Sequence, residues 1–401
     1  MMDVAIIGAG PAGLIASERL AQAGRTVAIY DRMPSPARKF LIAGRGGLNL
    51  THSEPLDRFL DRYGSSRQRL GPVIRAFTPD NLRAWAADLG EPTFVGSSGR
   101  VFPKSFKASP LLRVWLRRLA ALGVTLHSRH SWTGWSSNGG LTFRTPDGQV
   151  STQPRATLLA LGGASWPKLG SDGGWAGLLT AKGVEITPFA PSNSGVRVAW
   201  SEQFVSRFAG EPVKRVSLTL GDMSVTGEMM VTDRGLEGGA IYALSPPIRS
   251  ALAAGEAVLT VDLKPDLAEA EIASRLDLPR RGETASNFLR KKIALSPVQI
   301  GLLRESAGRD LPSNPKALAR LIKAAPLKLD GVQGLERAIS TAGGVAWDAM
   351  DGNFMLHALP GTFVAGEMID WDAPTGGYLL QASFSTGVAA ANGITNWLAA
   401  G

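Results

Sequence analysis

The chain contains no cysteine. A disulfide framework, a cysteine-ligated iron–sulfur cluster and a thiol relay are therefore excluded. Any electrons handled here need a bound cofactor. No stretch approaches the roughly 18 consecutive apolar residues of a membrane span. The most apolar helix candidate, Leu111 to Leu122, is interrupted by Arg113, Arg117 and Arg118. The first residues carry no basic leader and no cleavage site, so no signal peptide is expected and a cytoplasmic location is the default. The four histidines show no metal-ligand spacing. There is no G-x-S-x-G of a hydrolase nucleophile.

The 401 residues are 44% hydrophobic and 19% charged, an ordinary globular balance with ample core material. The 47 glycines sit mostly in short clusters, which points to functional loops. The net charge of +9 is unevenly placed. Between Arg275 and Lys328 there are 12 Lys and Arg against four acids, an excess of +8.

Residues 3–8 are an apolar run ending in glycine, the pattern of a buried parallel strand. A helix is expected over 11–23 and a second strand over 26–30, which makes a βαβ unit. A glycine-rich loop follows from Lys39 to Thr51. Thr78-Pro79 opens a helix over 80–89, and Pro110 opens another over 111–122. Short strands with hairpin turns are expected between 132 and 153, and a buried strand over 157–161. Residues 194–262 alternate polar and apolar, as in a β-rich domain. Residues 266–325 read as helices broken by Pro279, Pro297, Pro312 and Pro315. From Gly343 the α/β texture returns.

Gly8-Ala9-Gly10-Pro11-Ala12-Gly13 is G-x-G-x-x-G between strand and helix. Gly8 permits the tight turn, Gly10 a close approach of pyrophosphate, and Gly13 close packing of helix on strand. The helix N-terminus then turns free N–H groups toward the phosphates. Asp31, 18 residues beyond Gly13, ends the second strand where a carboxylate can accept from a ribose. This motif alone does not separate NAD from FAD. No second G-x-G-x-x-G exists, so a dedicated nicotinamide domain is absent and NAD(P)H would dock transiently.

Near the C-terminus, Thr362 to Ala365 is a short strand ending in Gly366-Glu367, with Asp370 beyond it. Gly376-Gly377 then opens a helix expected over 378–392. This arrangement is similar to the second FAD motif of glutathione-reductase-type flavoproteins. In those proteins the acid meets the ribityl chain, and the helix dipole faces the pyrimidine edge of the flavin. More specifically, the chain resembles the BaiN-like (YhiN-type) family of NAD(P)/FAD-dependent oxidoreductases. The resemblance rests on residues 38–51 (RKFLIAGRGGLNLT), 99–104 (GRVFPK), 161–167 (LGGASWP), 341–345 (TAGGV), Gly366-Glu367 and 375–378 (TGGY). Two departures stand out: Gly47-Leu48-Asn49 replaces an Arg-Cys-Asn of many members, and Thr232-Asp233 with Glu237-Gly238-Gly239 replaces a Thr-His and Ser-Gly-Pro pattern. Cysteine- or histidine-dependent chemistry of relatives is therefore not carried over.

The resemblance implies an α/β fold: a discontinuous Rossmann-like FAD-binding domain of glutathione-reductase type (1–190 and 335–401). Into it are inserted a β-barrel-like domain (191–265 with about 325–334) and a helical domain (266–324). The FAD contacts expected are Gly8, Gly10, Pro11, Ala12, Gly13, Asp31 and Arg32 from the first motif. Lys39, Gly44, Arg45, Gly46, Gly47, Asn49 and Leu50 come from the glycine loop, with Trp132 and Gly162 between the motifs. Gly366, Glu367, Asp370, Gly376, Gly377, Tyr378 and Leu379 complete the set. No catalytic residue is assigned; His52 and Tyr378 are candidate proton donors, each with an equally ordinary structural role. Trp371 stands where a substrate wall could be. His127, His130 and His357 are expected to be structural.

The expected activity is transfer of hydride from NAD(P)H, through FAD, to an unsaturated or carbonyl-conjugated small molecule, with an anionic substrate among the options. The alternatives are an RNA-binding flavoprotein of the tRNA-modifying type and a non-catalytic flavin sensor. The basic segment 275–328 fits a solvated face, an anionic substrate or nucleic acid. Its single aromatic, Phe288, argues against stacked bases.

Overall fold

The computed structural model describes residues 2–44, 46–279, 282–308 and 310–400. The chain forms two compact units, one ending at Ala190 and resuming at Ser340, the other running from Pro191 to Ile339.

The first unit is built on a five-stranded parallel sheet. Its order is Thr362–Val364, Ala156–Leu159, Val4–Ile7, Val27–Asp31, Thr125–Ser128. Val4–Ile7 is fully covered on both faces, as its unbroken apolar run requires. From this central strand the chain winds outward in one direction through Val27–Asp31 and in the other through Ala156–Leu159. The gap between the carboxyl ends of those two windings is a topological switch point, where open α/β sheets bind ligands. The edge strand Thr362–Val364 comes from the far end of the sequence, so the sheet closes only when both termini are in place.

Two helices lie against each other over this sheet: Pro11–Gln22 and the C-terminal Tyr378–Ala400. Their approach depends on Gly387, since a Cβ there would fall 2.5 Å from the Ala12 carbonyl oxygen. The C-terminal helix runs eight residues beyond the expected end at 392, because Ile394 and Leu398 continue its buried side. The helix expected to start after Pro110 begins instead at Ala108. Proline is tolerated there because first-turn N–H groups have no intrahelical partner. The expected loop 39–51 contains a short helix, Arg38–Ala43, whose Phe40 is buried.

Beneath Pro11–Gln22 lies a buried carboxylate. Glu18 is 1% exposed and accepts from Trp115 Nε1 (2.7 Å), Trp85 Nε1 (3.0 Å) and Arg118 Nη1 (3.2 Å). Those donors satisfy a charge that would otherwise be costly to bury.

The second unit carries a seven-stranded sheet of antiparallel pairs. Helices Glu269–Leu276, Ala285–Ile293, Pro297–Ala307 and Pro315–Lys323 are inserted between its strands Ala257–Asp262 and Ala325–Leu329. Ser296 and Asn314 cap two of them, each followed by proline at the first helical position. Strand residues Leu218, Leu259 and Val261 share one apolar cluster with helix residues Ile272, Leu289 and Ile322. The division into a β part and a helical part is therefore one of secondary structure within a common core.

Candidate functional site

At the switch point the strands Val4–Ile7 and Ala156–Leu159 give way to Gly8 and to Leu161-Gly162. A cavity opens there, lined by Gly8, Gly10, Pro11, Ala12, Asp31, Arg32, Lys39, Trp132, Gly162, Gly366 and Glu367 from the expected set. Residues from both ends of the sequence meet in it.

The glycines divide by role. Gly8 has φ +107, and a Cβ on it would stand 2.3 Å from the Ala160 carbonyl oxygen. A Cβ on Gly13 would stand 2.1 Å from the Gly8 carbonyl oxygen. These two close the turn. At Gly10 a Cβ would meet nothing within 4 Å, so the backbone there borders open space at the N-terminus of Pro11–Gln22.

Asp31 accepts at both oxygens, from the Ala9 N–H (2.8 Å) and the Met33 N–H (2.7 Å). Burial pushes its carboxyl above the usual value, and these two bonds only partly oppose that. Each oxygen keeps a lone pair for a further donor. Beside it, Arg32 pairs with Asp172 at 2.7 Å. Burial works against the charged form of Asp172, but the hydrogen bond from Arg32 and the Gly174 N–H outweigh it and lower the carboxyl. Lys39 Nζ reaches Glu367 Oε2 at 2.7 Å and Ser165 Oγ at 2.7 Å. Glu367 also accepts from the Thr341 N–H at 3.2 Å.

Among the described residues ten buried side-chain polar atoms have no partner, and four of them belong to the expected site or its neighbours: Arg32 Nε, Arg38 Nε, Trp132 Nε1 and Asn49 Oδ1. The first three belong to cavity-lining residues. Buried polar atoms are nearly always paired, so three unpartnered donors around one cavity fit a polar ligand. The residues present thus fit a dinucleotide: a glycine turn open at Gly10, a carboxylate with spare lone pairs, and unpartnered donors.

Other expected residues lie elsewhere. Gly44, Gly46, Gly47, Asn49, Leu50, Gly376, Gly377 and Leu379 do not line the cavity, and Leu50 is fully buried. Arg45 lies outside the described residues. Asp370 accepts from Thr187 Oγ1 at 2.7 Å instead of facing the cavity. Trp371 is 2% exposed and donates to the Gly366 carbonyl, so it supports the turn and walls no opening.

His52 and Tyr378 stack on each other at 5.5 Å. His52 Nδ1 accepts from the Glu54 N–H (3.1 Å), which in the neutral ring leaves Nε2 to donate to the Ser98 carbonyl (3.0 Å). The Tyr378 hydroxyl donates to Glu54, and burial with the Glu54 charge raises it well above its ordinary value. Both candidate donors are thus engaged in a second cluster away from the cavity. Burial also opposes charge on Glu54, but hydrogen bonds from Arg62 and Tyr378 prevail and lower its carboxyl.

The sequence reading missed Met33, Arg38, His130, Ser171, Asp172 and Trp175, all of which line the cavity. Met33 and Arg38 adjoin residues it did select. Asp172 sits in Gly170-Ser171-Asp172-Gly173-Gly174, a glycine cluster whose positive-φ turns were a usable signal.

Among the described residues no helix is long and apolar enough to cross a membrane, and no cluster of His, Asp or Glu could hold a metal.

A family model described as the HI0933-like protein Rossmann domain matches residues 2–393. The 3-dehydro-bile acid delta(4,6)-reductase of Clostridium scindens is 25% identical over 412 positions, covering 97% of this chain and 98% of the relative. The ribosomal RNA dihydrouridine synthase of Haemophilus influenzae is 23% identical over 403 positions, covering 97% and 98%. Among solved structures, the 3-ketosteroid delta1-dehydrogenase of Sterolibacterium denitrificans superposes with a TM-score of 0.55 at 12% identity, covering 98% of this chain and 99% of that one. At that identity the likeness is one of fold.

Proposed function

Because the chain belongs to the HI0933-like Rossmann-domain family, we propose that it is an FAD-dependent oxidoreductase acting on a small molecule. It moves hydride from NAD(P)H to a carbon–carbon double bond conjugated to a carbonyl. The observation that carries this reading is the single cavity shared by the Gly8–Ala12 turn with Asp31 and by Gly366-Glu367. When bound, the flavin supplies the two-electron carrier between nicotinamide and substrate. The N-terminus of Pro11–Gln22 holds the pyrophosphate through free N–H groups. Asp31 accepts from the ribose, and Glu367, oriented by Lys39 and the Thr341 N–H, accepts from the ribityl chain. Gly377 lets the start of the C-terminal helix pack against the Thr51 backbone, where a Cβ would fall 2.5 Å from Thr51 Cα.

The named reactions of the two relatives support the substrate type. A bile acid delta(4,6)-reductase and a dihydrouridine synthase both saturate a double bond conjugated to a carbonyl. The Haemophilus relative also favours a second reading, an RNA-modifying flavoprotein. Against it, four of the twelve cations of the 275–328 segment are paired with carboxylates: Arg275 with Glu271, Lys291 with Glu283, Arg320 with Glu269 and Lys323 with Asp262.

The test is stopped-flow reduction of the purified yellow protein by NADH and by NADPH, then reoxidation by a conjugated ketone. Heat or acid release should yield FAD. Recovery of FMN, or of NAD alone, overturns the cofactor assignment. Reduction without reoxidation by any conjugated carbonyl compound overturns the reaction type.

A further inference from the structure

Most charged and indole groups around the cavity are already engaged. Arg32 pairs with Asp172 and Lys39 with Glu367. Trp175 donates its indole N–H to the Gly162 carbonyl at 2.9 Å. Arg38 and Trp132, which line the same cavity, differ. Among the described residues Arg38 has no ion pair, and its Nε is buried without a partner. Arg19 and Arg25 also leave Nε unpaired, but neither lines the cavity. Trp132 Nε1 is buried without a partner as well. An indole nitrogen can only donate, and a buried donor left unpaired is costly. One charged and one neutral donor are thus left over in one cavity.

Local backbone sets the position of each. Ala37, 6% exposed, is held left-handed at φ +56, a region that residues with a Cβ disfavour. Its N–H donates to the Ala9 carbonyl inside the glycine turn (2.9 Å), and its carbonyl accepts from the Leu41 N–H (3.0 Å). Arg38 therefore opens its short helix directly beside that turn. Trp132 lies in the strand Ser131–Trp135, which pairs with Leu141–Thr145 through a register shift between Trp132 and Gly134. Such bulges re-aim side chains. The Trp132 ring rests edge-on against Trp135 at 4.9 Å and 86°.

The sheet order gives the cavity a direction. Just before its strand, the His130 N–H donates to the Asp31 carbonyl (2.9 Å), which keeps Trp132 on the Asp31 side. Glu367 follows the opposite edge strand, Thr362–Val364. That strand and Val27–Asp31 are three steps apart, about 14 Å at roughly 4.8 Å per step. The glycine turn, with Arg38 beside it, follows the central strand Val4–Ile7 between them. A ligand bridging Glu367 and Asp31 passes Arg38 midway and reaches Trp132 with whatever lies beyond Asp31.

We propose that Arg38 and Trp132 grip the ADP half of the dinucleotide. The Arg38 guanidinium is the counter-charge of the diphosphate, because Arg32 and Lys39 are already neutralised by Asp172 and Glu367. The Trp132 indole N–H donates to a ring nitrogen of the purine. Trp132 thereby favours a dinucleotide over FMN, which has no base to reach it. This inference rests on the dinucleotide reading of the cavity but not on the flavin, since FAD and NAD share the ADP half.

The test is isothermal titration of the full chain, freed of cofactor, with ADP and with FAD over a range of salt. ADP should bind the wild type with an affinity that falls as salt rises. Trp132→Phe keeps a ring and loses the donor. It should weaken ADP and FAD by the same factor, roughly tenfold, and leave the salt dependence as it is. Arg38→Gln should weaken both by roughly tenfold or more and flatten the salt dependence. Arg38→Lys, which keeps the charge without the fork, should restore the salt dependence and part of the affinity. The urea midpoint of each variant should match that of the wild type. An ADP affinity unchanged in Trp132→Phe, a salt dependence unchanged in Arg38→Gln, or no binding of ADP to the wild type at millimolar concentration overturns the proposal. If ADP responds as stated and FAD binds no more tightly than ADP, the grip stands and the flavin reading fails.

Discussion

Lys39 and Glu367, 328 residues apart in sequence, meet at 2.7 Å beside the glycine turn. One comes from the short helix after the first βαβ unit, the other from the turn after the last strand. The pair therefore ties the two sequence ends of the cavity together. Both side chains are largely sheltered, at 28% and 15% exposure. Lys39 leaves Glu367 free to accept on its remaining lone pairs while fixing its direction.

Glu367→Ala should weaken FAD by roughly 1.5–3 kcal/mol, the scale of a hydrogen bond to a charged group. Lys39→Met should weaken it less, since the Thr341 N–H still orients the carboxylate. Flavin fluorescence titration of the apoprotein measures both. Equal and negligible effects would remove Glu367 from the cofactor's contacts.

Gly10→Val and Gly13→Val should fail in different ways. At Gly10 a side chain enters open space, so the apoprotein should fold with an unchanged urea midpoint and bind no FAD. At Gly13 the added carbon collides with the Gly8 carbonyl, so the fold itself should be lost or severely destabilised. Circular dichroism and flavin content together separate the outcomes. Normal FAD content in Gly10→Val would show that the turn does not face the phosphates.

Glu18→Ala should be among the most destabilising single changes. It strips a common acceptor from Trp85, Trp115 and Arg118. Removing one partner of a buried charge pair costs roughly 3–5 kcal/mol. A urea midpoint within experimental scatter of wild type would show that water replaces the carboxylate.

What the sequence made legible was short in range. Gly8, Gly10 and Gly13 follow from the geometry of one turn, and Gly366-Glu367 from one strand end. The Thr78 cap followed by Pro79 is equally local. The rest depends on packing between distant segments. Nothing around Asp370 signals that Thr187 will claim it, and nothing around His52 signals that both its ring nitrogens are taken by backbone. Likewise four cations of 275–328, Arg275, Lys291, Arg320 and Lys323, meet carboxylates that sequence spacing alone does not assign to them. Residues 191–339 carry twenty Lys and Arg against seventeen Asp and Glu, a net charge of only +3.

Glu54 should make stability acid-sensitive. Its carboxyl is lowered in the folded state, so its contribution is complete above the ordinary unfolded value near about 4.3 and is lost as pH falls through the folded value. Glu54→Gln should lower the urea midpoint at about pH 6 and flatten its decline toward about pH 3.5. The same slope in both proteins would mean that Arg62 and Tyr378 do not favour the charged form. Because Tyr378 donates to Glu54, Tyr378→Phe should move the profile in the same direction by a smaller amount.

Reversing Arg290, Lys291 and Lys292 to glutamate tests the basic segment. All three stand in the last turn of Ala285–Ile293, where cations complement the helix dipole, and Lys291 already pairs with Glu283 at 2.7 Å. Three reversals should cost stability, each roughly 0.3–1 kcal/mol at an exposed helix end. Flavin absorbance, KM for the conjugated ketone and KM for NAD(P)H should be unchanged. A rise in either KM at unchanged kcat would instead place an anionic ligand on this helix. If RNA is the partner, wild-type binding should fall with salt at a log–log slope near about −0.7 per phosphate contact. Steep binding of that kind, abolished by the triple reversal, would assign the nucleic acid to this helix. The dipole role and the RNA role are distinguished by the neutral triple Arg290→Gln, Lys291→Gln and Lys292→Gln. It halves the charge change, so it should recover much of the lost stability, yet it should still abolish phosphate contacts that need a cation.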